Sequence, residues 1–251
     1  MAPEKIKCRL FVDAGLAAGG PVELGPDQTH YLRNVMRLGA GDGVALFNGK
    51  DGEWSAAIGN LGKNRSVVTP DRLLREQTPE PGPWLVFSPL KKARTDFLVE
   101  KATELGVSRL CPVITRHTQS ARINRDRMKA NAIEAAEQSE RLTVPEIAEP
   151  ETLEKLTAGW PSTRRLMVLD ETGGGRPIVQ VLSDLRDGNG ADPVESGFIS
   201  GPEGGFDAGE LDALRKLDFV TAVDLGPRTL RAETAALAAL ACWQAGFIAG
   251  R

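Results

Sequence analysis

The stretch QTPEPGPW, residues 77 to 84, places three prolines and a glycine in eight positions. Proline fixes φ and lacks a backbone donor, so neither a helix nor a central strand survives here, and the segment reads as a linker. It splits the 251 residues into a piece at 1–77, a linker at 78–83 and a larger piece at 84–251. The first piece alternates short β-type runs with turn signals. In it, NGKDGE between VALF and WSAAI predicts a hairpin whose Asn-Gly and Asp-Gly pairs supply positive φ. DQTHYLRNVMRL, residues 27–38, is the one helical interruption, with Tyr31, Val35 and Leu38 on a shared face. The expectation for residues 1–77 is a small β-barrel with one helix.

Beyond the linker, apolar runs of strand length alternate with helical patterns. WLVFSPL, RLCPVIT, RLMVLD, GFISGP and VTAVDLG read as strands. TDFLVEKATELG reads as a helix with Leu98, Ala102 and Leu105 on one face and Gly106 at its end, and Asp207 with Glu210 spells a capping box. Strands separated by helices imply an α/β fold, a parallel sheet flanked by helices. Ligands of such sheets bind at the carboxyl ends of strands. Three loops of unusual composition fall there: LDETGGGRP (169–177), SGPEGGF (200–206) and LGPRTLRAET (225–234). No Walker A string GxxxxGK[ST] and no complete GxGxxG is present. Glu203, at the centre of the second loop, would repel a pyrophosphate but tolerate a cationic or zwitterionic ligand.

Composition removes several other classes. No run approaches the roughly 18 apolar residues of a membrane span, and MAPEKIKCRLF lacks the apolar core of a secretory signal. Three scattered cysteines predict a reducing, cytoplasmic setting, and two distant histidines without a CxxC leave no metal site in view. The net charge of −3 excludes a globally basic nucleic-acid binder but not a local patch.

FISGPEGGFDAGEL followed by VDLGPRTLRAETAALAAL resembles the SPOUT superfamily of S-adenosylmethionine-dependent RNA methyltransferases. More narrowly, the chain resembles the RsmE family, which methylates N3 of a uridine in 16S ribosomal RNA. HYLRNVMRLGAGDGVALFNGKDGEW is similar to that family's N-terminal PUA-like, RNA-binding barrel, and LVEKATELGVSRLCPVITRHTQ and AIEAAEQSERLTVPEI to its following segments. In PLKKARTDF many relatives carry glycine or aspartate after the lysines, which leaves the role of Ala93 open. The resemblance implies a SPOUT-type trefoil knot near the C-terminus, a device otherwise almost absent from proteins. It also implies a homodimer with its active site at or near the subunit interface. S-adenosylmethionine would be held by backbone around Leu169, by Gly201, Pro202, Glu203 and Gly204, and by Leu225, Gly226 and Leu230. Calorimetric titration of a Gly204→Val variant tests this placement, since binding lost there would put the cofactor on the GPEGG loop.

The imide N3 of uracil is a poor nucleophile until its proton leaves and charge spreads onto the flanking carbonyl oxygens. A base or a cation is therefore needed. Arg231 and Glu233 in TLRAET are the leading candidates, with Arg228 beside them. Arg231 would steady the uracilate, while Glu233 orients Arg231 or accepts the proton. Residues 91 to 129 contain ten Lys or Arg against four Asp or Glu, a basic run suited to phosphates of 16S ribosomal RNA or the small subunit. Lys91, Lys92, Arg94, Arg116, Arg122 and Arg125 are the expected contacts, with Gln138 facing the target pocket and His117 as a base-stacking alternative. The alternatives are another SPOUT enzyme, acting on a ribose 2′-hydroxyl or a tRNA base, and a non-catalytic RNA-binding assembly factor. Intact GPEGG and LRAET loops count against the latter.

Overall fold

The computed structural model describes residues 5–119, 123–187 and 195–247. Its contacts gather into two compact units. One holds the chain up to Glu80 together with Ala136–Val144, and the other holds Pro81–Ala135 and the chain from Pro145 onward. No composition shift in the sequence marks residues 136–144 as belonging with the N-terminal piece.

The first unit contains β1 (Ile6–Phe11), β2 (Val22–Leu24), α1 (Pro26–His30), β3 (Gly43–Phe47), β4 (Glu53–Leu61) and β5 (Ser66–Arg75). The strands form a mixed five-stranded sheet in the order β1-β3-β4-β5-β2, parallel only between β1 and β3. Leu10, Leu24, Val44, Leu46, Ile58 and Val68 build its core. The expected hairpin joins β3 to β4, with Gly49 at φ 78° and Gly52 at φ 80°. Asn48 closes it by accepting from the amides of Lys50 and Asp51 at 3.0 and 2.8 Å.

The helix expected over 27–38 is corrected by the structure. α1 gives way to a π-helical turn at Tyr31–Val35, in which the Met36 amide reaches back to Tyr31 O at 2.9 Å. The wider turn shifts the helical phase, so Leu32 is fully buried and Val35 is left 60% exposed. Segment 136–144 is held by charge-assisted bonds. The Arg9 guanidinium donates to the carbonyls of Ala136, Glu137 and Arg141 at 2.8–2.9 Å and to buried Glu53, which also accepts from Arg75. Burial pushes the Glu53 carboxyl up, but the bonds from Arg75 and Arg9 outweigh it and hold it below the ordinary carboxylate range.

The second unit runs β6 (Trp84–Phe87), α2 (Lys92–Glu104), β7 (Arg109–Ile114), α3 (Arg125–Gln138, whose last residues belong with the first unit), β8 (Glu146–Ile147), β9 (Glu151–Thr152), α4 (Leu153–Ala158), β10 (Arg165–Leu169), β11 (Arg176–Pro177), α5 (Ile178–Arg186), β12 (Ser196–Ser200), α6 (Ala208–Arg215), β13 (Val220–Asp224) and α7 (Ala232–Phe247). Among the described residues the sheet order is β11-β13-β10-β12-β6-β7-β8, every ladder is parallel, and β9 pairs with β7. Helices cover both faces. Leu166, Val168 and Ile199 pack with Leu153 and Leu156 of α4 and Leu211 and Leu214 of α6. α7 lies against β12 and β10, beside α2 and α5.

α2 starts at Lys92, earlier than the expected TDFLVEKATELG helix, and ends at Gly106 with φ 86°. The Asp207–Glu210 capping box is present at α6. The apolar stripe of α7 is core: Ala236, Ala239, Leu240 and Trp243 are buried. Among the described residues no helix is long and apolar enough to cross a membrane.

Candidate active site

Because β10 lies between β12 and β13, the three unusual loops leave the carboxyl ends of adjacent strands. They enclose a cavity of about 580 Å³. Its walls include Leu169 to Gly173, Ser200 to Glu203, Gly205 and Val223 to Ala232. Arg94 and Ala235 complete them. The lining has no lysine, and its four carboxylates (Asp170, Glu171, Glu203, Asp224) slightly outnumber three arginines.

The first loop is braced from beneath. The Asp170 side chain is fully enclosed; one carboxylate oxygen accepts from the amide and hydroxyl of Thr172 at 2.9 and 2.6 Å, and the other from Arg215 of α6 at 2.5 Å. Arg215 also reaches the Thr172 hydroxyl at 2.8 Å. Burial pushes the Asp170 carboxyl up, but the Thr172 and Arg215 bonds outweigh it and hold it below the ordinary carboxylate value. A depressed carboxylate contributes stability above its unfolded value and loses it as pH falls through the folded one. We therefore expect Asp170→Asn to lower the thermal midpoint at pH 7. This deficit should shrink as both proteins are taken below the ordinary carboxylate range in a pH series of melting curves.

The second loop folds back on the first: the Phe206 amide donates to Glu171 Oε1 at 3.3 Å, and His117 Nδ1 donates to Gly205 O at 3.1 Å. His117 stays exposed beside this contact. Gly205 has φ 72°, and a Cβ on Gly201 would lie 3.1 Å from the Phe206 ring. Gly204 is different. It does not line the cavity, and a Cβ there would meet nothing nearer than His117 Cβ at 3.7 Å. Around this turn the close approaches are made by the neighbours of Gly204 rather than by Gly204 itself.

The third loop turns at Gly226 (φ 108°), whose amide donates to Asp224 Oδ1 at 2.9 Å. Arg228 and Arg231 are exposed on its rim, and Leu230 is half-buried. Arg231 O accepts the Ala235 amide at 2.8 Å, so this residue opens α7. Glu233 is buried, but its ion-pair partner is Arg94, with Nε 3.6 Å from Glu233 Oε1. The expected pairing of Glu233 with Arg231 is thus replaced by one that sequence distance hid. Glu233 Oε2 has no hydrogen-bond partner among the described residues. Glu203 Oε1 lies 3.8 Å from Arg94 Nη1 and accepts the Lys91 amide at 3.4 Å.

The basic run is less free than its spelling implies. Arg116 pairs with Asp207, Arg125 with Glu149, Arg127 with Asp96, and Lys101 with Glu100 and Glu104. Lys91 and Lys92 are exposed. Arg122 lies outside the described residues. Gln138, at the end of α3, is exposed and belongs with the first unit.

These features meet known proteins at every level. Residues 79–244 match the family model described as an RNA methyltransferase domain, and residues 24–71 match an RNA methyltransferase PUA domain. The chain is 34% identical to the ribosomal RNA small subunit methyltransferase E of Rickettsia conorii, over 93% of each chain. The chain belongs to the RsmE family. The RsmE protein of Bacillus subtilis is 28% identical over 85% of this chain and 86% of its own. A solved RsmE from Neisseria gonorrhoeae, bound to S-adenosyl methionine, superposes with TM-score 0.82 at 28% identity, covering 96% of this chain and 98% of that one. A Legionella pneumophila methyltransferase in complex with the same cofactor follows at TM-score 0.81 and 26% identity, covering 95% and 97%.

Proposed function

We propose that this protein methylates N3 of a uridine in small-subunit ribosomal RNA, with S-adenosylmethionine as methyl donor. The observation that carries this reading is the cavity itself, built from three loops that all lie within the stretch matching the RNA methyltransferase domain, two of them in the strings that resemble the family. Its chemistry suits the donor. Backbone from glycine-bearing turns and the apolar Leu169, Pro202, Leu225 and Leu230 can take up adenine and the methionine chain, while the acidic surplus tolerates a cationic sulfonium. Leu169, Gly201, Pro202, Glu203, Leu225, Gly226 and Leu230 are the proposed cofactor residues, with Gly204 supporting the turn from outside. The bound donor supplies an activated methyl on sulfur. The chain itself would have to present N3 of the uracil to that methyl and take up the proton that N3 gives up.

The chain's own part is positioning and charge. Arg231, with Arg228 beside it on the rim, steadies an oxygen of the uracilate. Glu233, whose Oε2 is an acceptor the fold leaves unfilled, takes the proton. Lys91, Lys92, Arg116 and Arg125 contribute to the RNA track, together with the PUA-like unit. With the family reading come a trefoil knot formed by the loops after β10, β12 and β13, a β-barrel form for the first unit, a homodimer and a cytoplasmic site of action.

The test is transfer of labelled methyl to purified small ribosomal subunits, followed by nucleoside analysis of the RNA. The expected product is 3-methyluridine. Label on a ribose, or in tRNA alone, would replace this reading with another SPOUT activity. Subunit binding without any transfer would leave a non-catalytic assembly factor.

A further inference from the structure

Arg94 sits on the first turn of α2, in the middle of the basic run, yet its guanidinium is turned to the cavity wall rather than to an acid on its own helix. Two carboxylates from two different loops flank it, Glu233 Oε1 at 3.6 Å from Nε and Glu203 Oε1 at 3.8 Å from Nη1. Both distances exceed those of a formed hydrogen bond. The acids steer the guanidinium without consuming its N–H donors, and its side chain remains 35% exposed. Arg127 of the same run differs: it binds Asp96 through two bonds of 2.8 and 2.6 Å. A guanidinium that is oriented but unsatisfied, on the wall of a ligand cavity, is prepared for an acceptor that the ligand brings.

We propose that Arg94 is a catalytic residue of the methyl-acceptor site, donating to one uracil carbonyl oxygen, rather than a ligand of backbone phosphate. This rests on the reading of the protein as a uridine-N3 methyltransferase. N3 lies between two carbonyl groups, and the charge left when its proton departs is shared by both oxygens. Two fixed cations therefore match the transition state better than one. Arg231, from the third loop, serves one oxygen, and Arg94, from α2, serves the other. Its planar fork holds direction where a lysine would supply only a point charge. Glu203 and Glu233 act as its orienting groups, which gives the acid within the GPEGG turn a purpose distinct from cofactor contact.

The experiment compares wild type, Arg94→Ala and Arg94→Lys as full-length proteins. It measures the single-turnover methylation rate on small subunits, calorimetric affinity for S-adenosylmethionine, and subunit affinity across a salt series. The expected result for Arg94→Ala is a rate loss of about 100-fold or more, with cofactor and subunit affinities and the salt slope unchanged. Arg94→Lys should recover only a small part of the rate. A phosphate contact would appear instead as weaker subunit binding, a salt slope shallower by about one charge, and an intact rate at saturation. Loss of cofactor binding would make Arg94 a brace of the cofactor loops; either result overturns the assignment. Absence of methyl transfer by the wild type is a separate outcome: it refutes the functional reading and this assignment with it.

Discussion

Replacing Gly175 by alanine is expected to weaken S-adenosylmethionine binding by about 30-fold or more, while alanine at Gly204 leaves it within about twofold of wild type. An added Cβ at Gly175 would stand 2.5 Å from the Val223 carbonyl carbon and 2.8 Å from both Val223 Cα and the Asp224 nitrogen. All three atoms are backbone of β13, which is paired on one side with β10 and on the other with β11. The strand cannot yield, so the loop must, and the Val223 carbonyl that accepts the Asp170 amide is part of what is disturbed. Overpacking of this kind costs about 1–3 kcal/mol. Two of those kcal/mol in the cofactor-binding geometry correspond to roughly 30-fold in affinity. Gly204 has ordinary contact distance to its nearest neighbour and no positive φ. Calorimetric titration of both variants decides the matter. Wild-type affinity in Gly175→Ala would mean that the first loop does not set the cofactor site.

The contrast between these two glycines shows which part of the site the sequence carried. Local chemistry was legible: the positive-φ turn at Gly49 and Gly52, the capping box of α6, and three loops leaving the carboxyl ends of strands can all be read from spacing, because each depends on residues a few positions apart. What sequence could not supply was the partner across a long loop. Asp170 is braced by Arg215, 45 positions on, and nothing in LDETGGGRP announces this. Arg94 looked like a member of a basic run, and only the approach of Glu203 and Glu233 from other loops sets it apart. The π turn at Tyr31–Val35 defeated a 3.6-residue period in the same way. One extra residue per turn leaves composition untouched but exchanges Val35 for Leu32 in the core. Segment 136–144 joins the first unit through backbone carbonyls that accept from Arg9 and through the Glu137 and Glu80 carboxylates, whose partners lie 62 to 126 positions away in sequence.

Arg231→Ala is expected to cut single-turnover methylation by about 100- to 1,000-fold, the usual consequence of removing one preorganised donor from a developing anion. Cofactor affinity should stay within about threefold, since the contacts proposed for the cofactor are backbone and apolar, with Leu230 and Gly226 unaltered. Arg231 also opens α7, but through its backbone carbonyl, which accepts the Ala235 amide at 2.8 Å and survives the substitution. Unfolding midpoints should therefore barely move, and a purely helix-bracing role predicts the opposite pattern of lower stability with an intact rate. The double variant Arg94→Ala/Arg231→Ala adds a further discrimination. Two cations serving separate carbonyl oxygens of one uracilate should each keep a substantial cost when the other is absent, so the double variant is slower than either single one, with the shared charge coupling the two losses. If both arginines instead acted on one oxygen, or one merely positioned the other, the second substitution would cost little once the first had been made. A double-mutant cycle read in single-turnover rates thus tests whether the acceptor uracilate is held from both sides.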